Sequence, residues 1–218
     1  MRLVDLDVGA SGTLPHEDAV LLNRRAFHIG EALRYAVCHR PWINAPFGKI
    51  YANLTPDDAL PPKHYKLQLG VAVVVAPITR NAVVLPYPDF RTAVLDAAAE
   101  AFRTLEREGN WTCERAAQAL TALAASDTPL FSARLAFSKT HRRKKTRAEV
   151  RYEVDETSVR MRVMVLGPTG QVQREHVVSS YPKPAPLQLL FPVARSKMVD
   201  DDFVLLDRDG AVLARVPM

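Results

Sequence analysis

The chain has 218 residues, 48% of them hydrophobic and 24% charged, which is enough apolar matter for one large core or two small ones and too much for a disordered segment. Its 29 basic and 24 acidic residues leave a formal charge of +5, but the excess is confined: residues 134–151 hold eight basic residues against Glu149 alone, so the other 200 residues sum to −2. The longest apolar run, "GVAVVVAPI", falls short of the ~18 residues of a membrane span, and the opening "MRLVDLDV" lacks the apolar stretch of a secretion signal, so a soluble, cytoplasmic protein is expected, with no membrane partner.

Residues 2–8 alternate and read as a strand, and "GASGTLPHED" reads as a turn and cap. A helix is predicted over 16–37, where Leu22, Ala26, Ile29, Leu33 and Val37 recur at helical spacing. Arg24, Arg25, His28, Glu31 and Arg34 then fall on its other faces. The proline-rich stretch 42–63 reads as a long loop. A strand is predicted over 65–76 and a short one over 82–85. Next comes a helix capped by Asp89 and ended by Gly109, with Phe90, Val94, Ala98, Phe102 and Leu105 as its stripe, and then a second helix over 112–125.

From residue 130 the period changes to two. Phe131, Ala133, Leu135 and Phe137 share one side of a strand, and Val150, Tyr152 and Val154 share one side of the returning strand. Between them "SKTHRRKKTR" forms the tip of a hairpin over 134–151. Residues 158–166 and 171–179 continue as an antiparallel meander, "YPKPAP" bridges, and "FVLLDRDGAVLARV" closes the chain as a hairpin. The expected fold class is α+β. Residues 1–128 would form an α/β part and residues 129–218 an antiparallel β part.

Cys38 and Cys113 stand far apart, outside any zinc or disulfide spacing, and the six histidines form no close ligand pattern. No metal and no cofactor are expected.

The functional signal is therefore the basic segment. If Val150, Tyr152 and Val154 point inward, alternation turns Arg147 and Arg151 outward, and Arg134, Arg160 and Arg162 with them. Lys139, His141, Arg142, Arg143, Lys144 and Lys145 add the tip. Such a face suits phosphate, which arginine grips with two parallel hydrogen bonds. Nucleic acid is the expected partner, and Arg24 and Arg25 are further candidate contacts on the first helix.

The order strand, helix, strand, strand, helix, strand over about the first 140 residues is the βαββαβ series of a ferredoxin-like unit. With the basic hairpin and the trailing meander, it resembles the RAMP proteins, the RNA-binding subunits and RNA-processing endonucleases of CRISPR antiviral systems. The glycine-rich loop carried by many of those proteins is not visible, since "GPTG" and "DRDG" read as ordinary turns. The resemblance implies a guide-RNA-binding protein within a ribonucleoprotein of several protein subunits. It also implies a metal-independent endoribonuclease, with a histidine on or just after the first helix as general acid or base; His28 and His39 occupy those places. The alternative from another class is a non-enzymatic protein-interaction module, an immunity or assembly protein whose hairpin meets an acidic partner.

Overall fold

The structure, a computed structural model, describes residues 1–10, 12, 14–38, 43–125, 131–135, 137–154, 158–182 and 193–218. The chain divides into two compact units, Met1–Pro129 and Leu130–Met218.

In the first unit, β1 (Asp5–Gly9), α1 (His16–Cys38), β2 (Lys49–Pro56), β3 (Tyr65–Gln68), β4 (Val71–Ile78), α2 (Tyr87–Arg107) and α3 (Glu114–Ala125) follow one another. The sheet order is β1-β2-β4-β3, with β1, β2 and β4 parallel and β3 antiparallel to β4. Leu6, Ile50, Leu54, Ala72 and Val74 are buried together with Leu22, Ala26, Ile29 and Leu33 of α1 and Phe90, Val94, Ala98 and Leu105 of α2. The helical spacing read from the sequence is the spacing that fills this core. Each large side chain so buried is worth roughly 1.5–3 kcal/mol.

This mixed sheet does not confirm the ferredoxin-like unit, and the difference has local causes. The stretch expected as a loop over 42–63 contains β2, where Ile50, Ala52 and Leu54 alternate inward and Pro56 sits at the end of the strand without interrupting its ladder. The single strand expected over 65–76 is a hairpin, because Leu69 (φ 50°) and Gly70 (φ 78°) turn the chain in the left-handed region. The strand expected over 82–85 is replaced by a 3₁₀ turn, Arg80–Val84, in which the N–H groups of Ala82 and Leu85 bond locally to Thr79 and Ala82. The carbonyls of Val83 and Leu85, which a ladder would have used, both accept from Arg25 Nη1 at 2.8 Å. Phe47, from the same proline-rich stretch, is a core plug packed edge-on against Trp111 at 5.1 Å between centroids.

The regular elements among the described residues of the second unit are all strands: β5 (Phe131–Arg134), β6 (Lys139–His141), β7 (Thr146–Val154), β8 (Ser158–Leu166), β9 (Val172–Pro182), β10 (Arg195–Val199), β11 (Asp202–Leu206) and β12 (Val212–Pro217). One antiparallel sheet runs β5-β7-β8-β9, with β6 pairing the first residues of β7; the other runs β10-β11-β12. The meander and the basic hairpin are where alternation placed them, and β10 adds a strand to the closing hairpin. Alternation explains the core: Ala148, Val150, Met161, Val163 and Val165 face Phe203, Leu205, Ala214 and Val216 in one apolar cluster. Most of "YPKPAP" lies outside the described residues.

Candidate nucleic-acid interface

With Ala148, Val150 and Tyr152 buried on one face of β7, Arg147, Glu149, Arg151 and Glu153 belong to the other. The ladder places Arg134 of β5 and Arg162 of β8 directly beside Arg151, and Arg160 beside Glu153. All five strand arginines expected on this face are therefore on it.

The face is not uniformly positive, which corrects the sequence reading. Glu149 is only 2% exposed and sits at the centre of three guanidiniums. Its Oε1 meets Arg147 Nη2 at 2.5 Å and Arg134 Nη1 at 3.4 Å, and its Oε2 accepts from Arg151 Nη2 at 3.1 Å. Glu153 meets Arg162 Nε at 3.1 Å, and Arg162 Nη1 also reaches Glu175 at 2.8 Å. A buried carboxylate must be paired, since the desolvation of a lone ion amounts to several kcal/mol. Here the long arginine side chains fold over the shorter glutamates and shield them from water. Five arginines and three glutamates leave the face two positive charges.

The tip is different. Residues 142–145 form the turn, with Lys145 in the left-handed region at φ 53°. His141 Nδ1 accepts the N–H of Lys144 at 3.1 Å, so its Nε2 carries the proton and donates to Asp201 Oδ1 at 3.0 Å. Lys144 Nζ donates to Asp201 Oδ2 and to the Met218 carbonyl, both at 2.9 Å. Hydrogen bonds from Lys144 and then His141 hold the Asp201 carboxyl below the usual carboxylate range. His141 and Lys144 are thus anchors that fasten the turn to the β10–β11 connection. Lys139, Arg142, Arg143 and Lys145 are exposed and make no ion pair among the described residues.

The remaining candidates lie in the first unit. His28 is 3% exposed, stacked on Tyr87 at 5.3 Å and hydrogen-bonded to its hydroxyl. It is a core histidine, closed to a nucleic-acid strand. Arg25, besides its two carbonyl contacts, lies over the Phe90 ring at 4.2 Å, so it joins α1 to α2. Arg24 is exposed. His39 lies outside the described residues.

Sequence reasoning missed a second polar cluster. Asp5 and Asp7 share one side of β1, and Lys49, in register with Asp5 on β2, bridges them at 2.9 and 2.5 Å. Arg34 joins Glu31 at 3.1 Å and Asp5 at 3.7 Å. Burial pushes the Glu31 carboxyl up against the pull of Arg34, and Asp7 and Asp5 push it further. The lysine is what the sequence concealed, because its strand was read as a loop. Among the described residues, no three His, Cys, Asp or Glu side chains are grouped so as to hold a metal ion.

No family model, curated protein or solved structure matches the chain.

Proposed function

We propose that this protein binds nucleic acid, RNA above all, through the β6–β7 hairpin and the arginine-bearing sheet face beside it. The observation that carries the reading is the tip: Lys139 at the start of β6 and Arg142, Arg143 and Lys145 in the turn are exposed and make no ion pair among the described residues, and the turn is fastened by His141 and Lys144 to Asp201. Cations that the fold leaves without counter-ions are the ones a polyphosphate can neutralise, and each phosphate contact releases condensed salt ions. An anchored turn loses less conformational freedom on binding than a loose one.

Membership of a guide-RNA ribonucleoprotein has the element order, the basic hairpin and the meander behind it, and the element order differs at three places: β2 within 42–63, the β3–β4 hairpin and the 3₁₀ turn at Arg80–Val84. RNA cleavage draws no support from His28, whose imidazole is committed to Tyr87 in the core. The reading proposed is therefore of a binding protein, and His39, the other candidate for cleavage, lies outside the described residues.

The test is fluorescence anisotropy of the full chain with a structured RNA between about 50 and 200 mM salt. Binding that weakens steeply with salt is the expected result. No binding even at the lowest salt overturns the reading.

A further inference from the structure

The tip leaves one feature of the sheet face unexplained. Arg134, Arg147 and Arg151 all converge on Glu149, each through a single nitrogen. A guanidinium has five N–H donors, so most of the donors of this trio are not used by the carboxylate. The three side chains remain 55%, 47% and 34% exposed, while Glu149 beneath them is 3% exposed at its side chain. The carboxylate thus fixes three guanidiniums around one point and leaves outer edges of Arg134 and Arg147 to solvent, while Arg151 Nη1 also donates to Ser132 Oγ at 3.4 Å. Arg151 Nε is buried and has no hydrogen-bond partner among the described residues. The register also sets Arg134, Arg151 and Arg162 side by side on three adjacent strands, an arrangement that repels unless anions intervene.

The charge of the cluster selects its ligand. Three guanidiniums less one carboxylate leave two positive charges. A phosphomonoester brings about 1.5 to 2 negative charges near neutral pH and three strong acceptor oxygens. An internal phosphodiester brings about one negative charge and leaves the cluster unbalanced. We infer that Arg134, Arg147 and Arg151, held by Glu149, seat a terminal phosphate of the nucleic acid whose backbone lies on the hairpin. This rests on the nucleic-acid reading above.

The experiment uses the full chain and one internally labelled RNA in three forms: with a 5′-phosphate, with a 3′-phosphate, and with hydroxyls at both ends. One phosphorylated form is expected to bind roughly tenfold tighter than the hydroxyl form, about the worth of one charge-assisted hydrogen-bonded contact; which one identifies the end that is read. Arg151→Gln is expected to abolish the preference, whereas Arg143→Ala at the tip weakens all three forms alike. Because Arg151→Gln strips a partner from a buried carboxylate, the variant Arg151→Gln with Glu149→Gln is measured beside it, and the preference should be lost there too. Equal affinity for the three forms, or a preference that survives both variants, overturns the terminal-phosphate site and leaves the nucleic-acid reading standing. Absence of binding by all three forms overturns both.

Discussion

Replacing Lys139, Arg142, Arg143 and Lys145 together by alanine removes the tip cations that have no ion pair among the described residues and spares Lys144, which the fold uses to hold Asp201 and Met218. If each of the four meets one phosphate, the slope of log K against log salt falls by about three, since one contact contributes roughly 0.7 on a single strand and 0.9 on a duplex. Relative to the 1 M limit, where counterion release contributes nothing, a slope change of about three is about a thousandfold in affinity at 0.1 M, or about 4 kcal/mol. Folding stability should move by less than about 0.5 kcal/mol, because the four residues are exposed and alanine keeps the same Cβ at the left-handed Lys145 position. Anisotropy titrations at several salt concentrations give the slope, and urea unfolding gives the stability. A variant that folds normally and keeps the wild-type slope would refute the assignment of the tip as the phosphate contact.

Three further outcomes follow from the charge networks. Glu149→Ala leaves Arg134, Arg147 and Arg151 without their shared anion; because those arginines are partly exposed and can turn to water, urea unfolding should show a loss of roughly 1–3 kcal/mol, less than for a fully buried pair. Asp201→Asn removes the anion that occupies Lys144 and His141, so RNA affinity should rise and the salt slope should steepen by roughly 0.7 to 0.9 as Lys144 turns to phosphate; a weaker complex would show that the anchored geometry matters more than the freed charge. Burial raises the Glu31 carboxyl above its usual 4.5, so its ionised form is disfavoured in the folded chain, a handicap absent below that pH and complete once pH has risen past the displaced value. Glu31→Gln should therefore raise Tm near neutral pH by up to roughly a few degrees and leave it unchanged below pH 4.5, and a Tm lowered near neutral pH would show that the Arg34 ion pair outweighs burial.

The parts of the fold that were legible are those in which one periodicity runs unbroken through the segment. Leu22, Ala26, Ile29, Leu33 and Val37 mark α1, and the alternation of Val159, Met161, Val163 and Val165 marks β8, because burial on one face is what both patterns record. The parts that were not legible are those in which a tertiary partner decides. Ala82 to Leu85 has the composition of a strand, but Arg25, distant in sequence, takes the carbonyls of Val83 and Leu85. Residues 49–56 look like more of a proline-rich loop until a parallel partner is available on each side, with Lys49 beside both Asp5 and Val71. Parallel pairing joins strands through long crossovers, and a local reading of the sequence does not detect it.

The candidate site shows the same division within nine residues. Alternation along "TRAEVRYEV" assigns Arg147 and Arg151 to the outer face, and by the same rule it must assign Glu149 and Glu153 to that face as well. A sum over the segment treats Glu149 as one negative charge against eight positive ones, but the ladder places it at contact with three of those eight. Strand arginines therefore come with carboxylates on the same face, which offset three of their five charges. In the turn at 142–145 no partner strand exists to bring a carboxylate alongside, and the one that approaches, Asp201, engages Lys144 alone among the four turn cations. The cations free for an outside anion are thus concentrated where the sheet ends. For that reason the salt dependence of binding should follow the turn and Lys139, and preference for a particular phosphate should follow the arginines around Glu149.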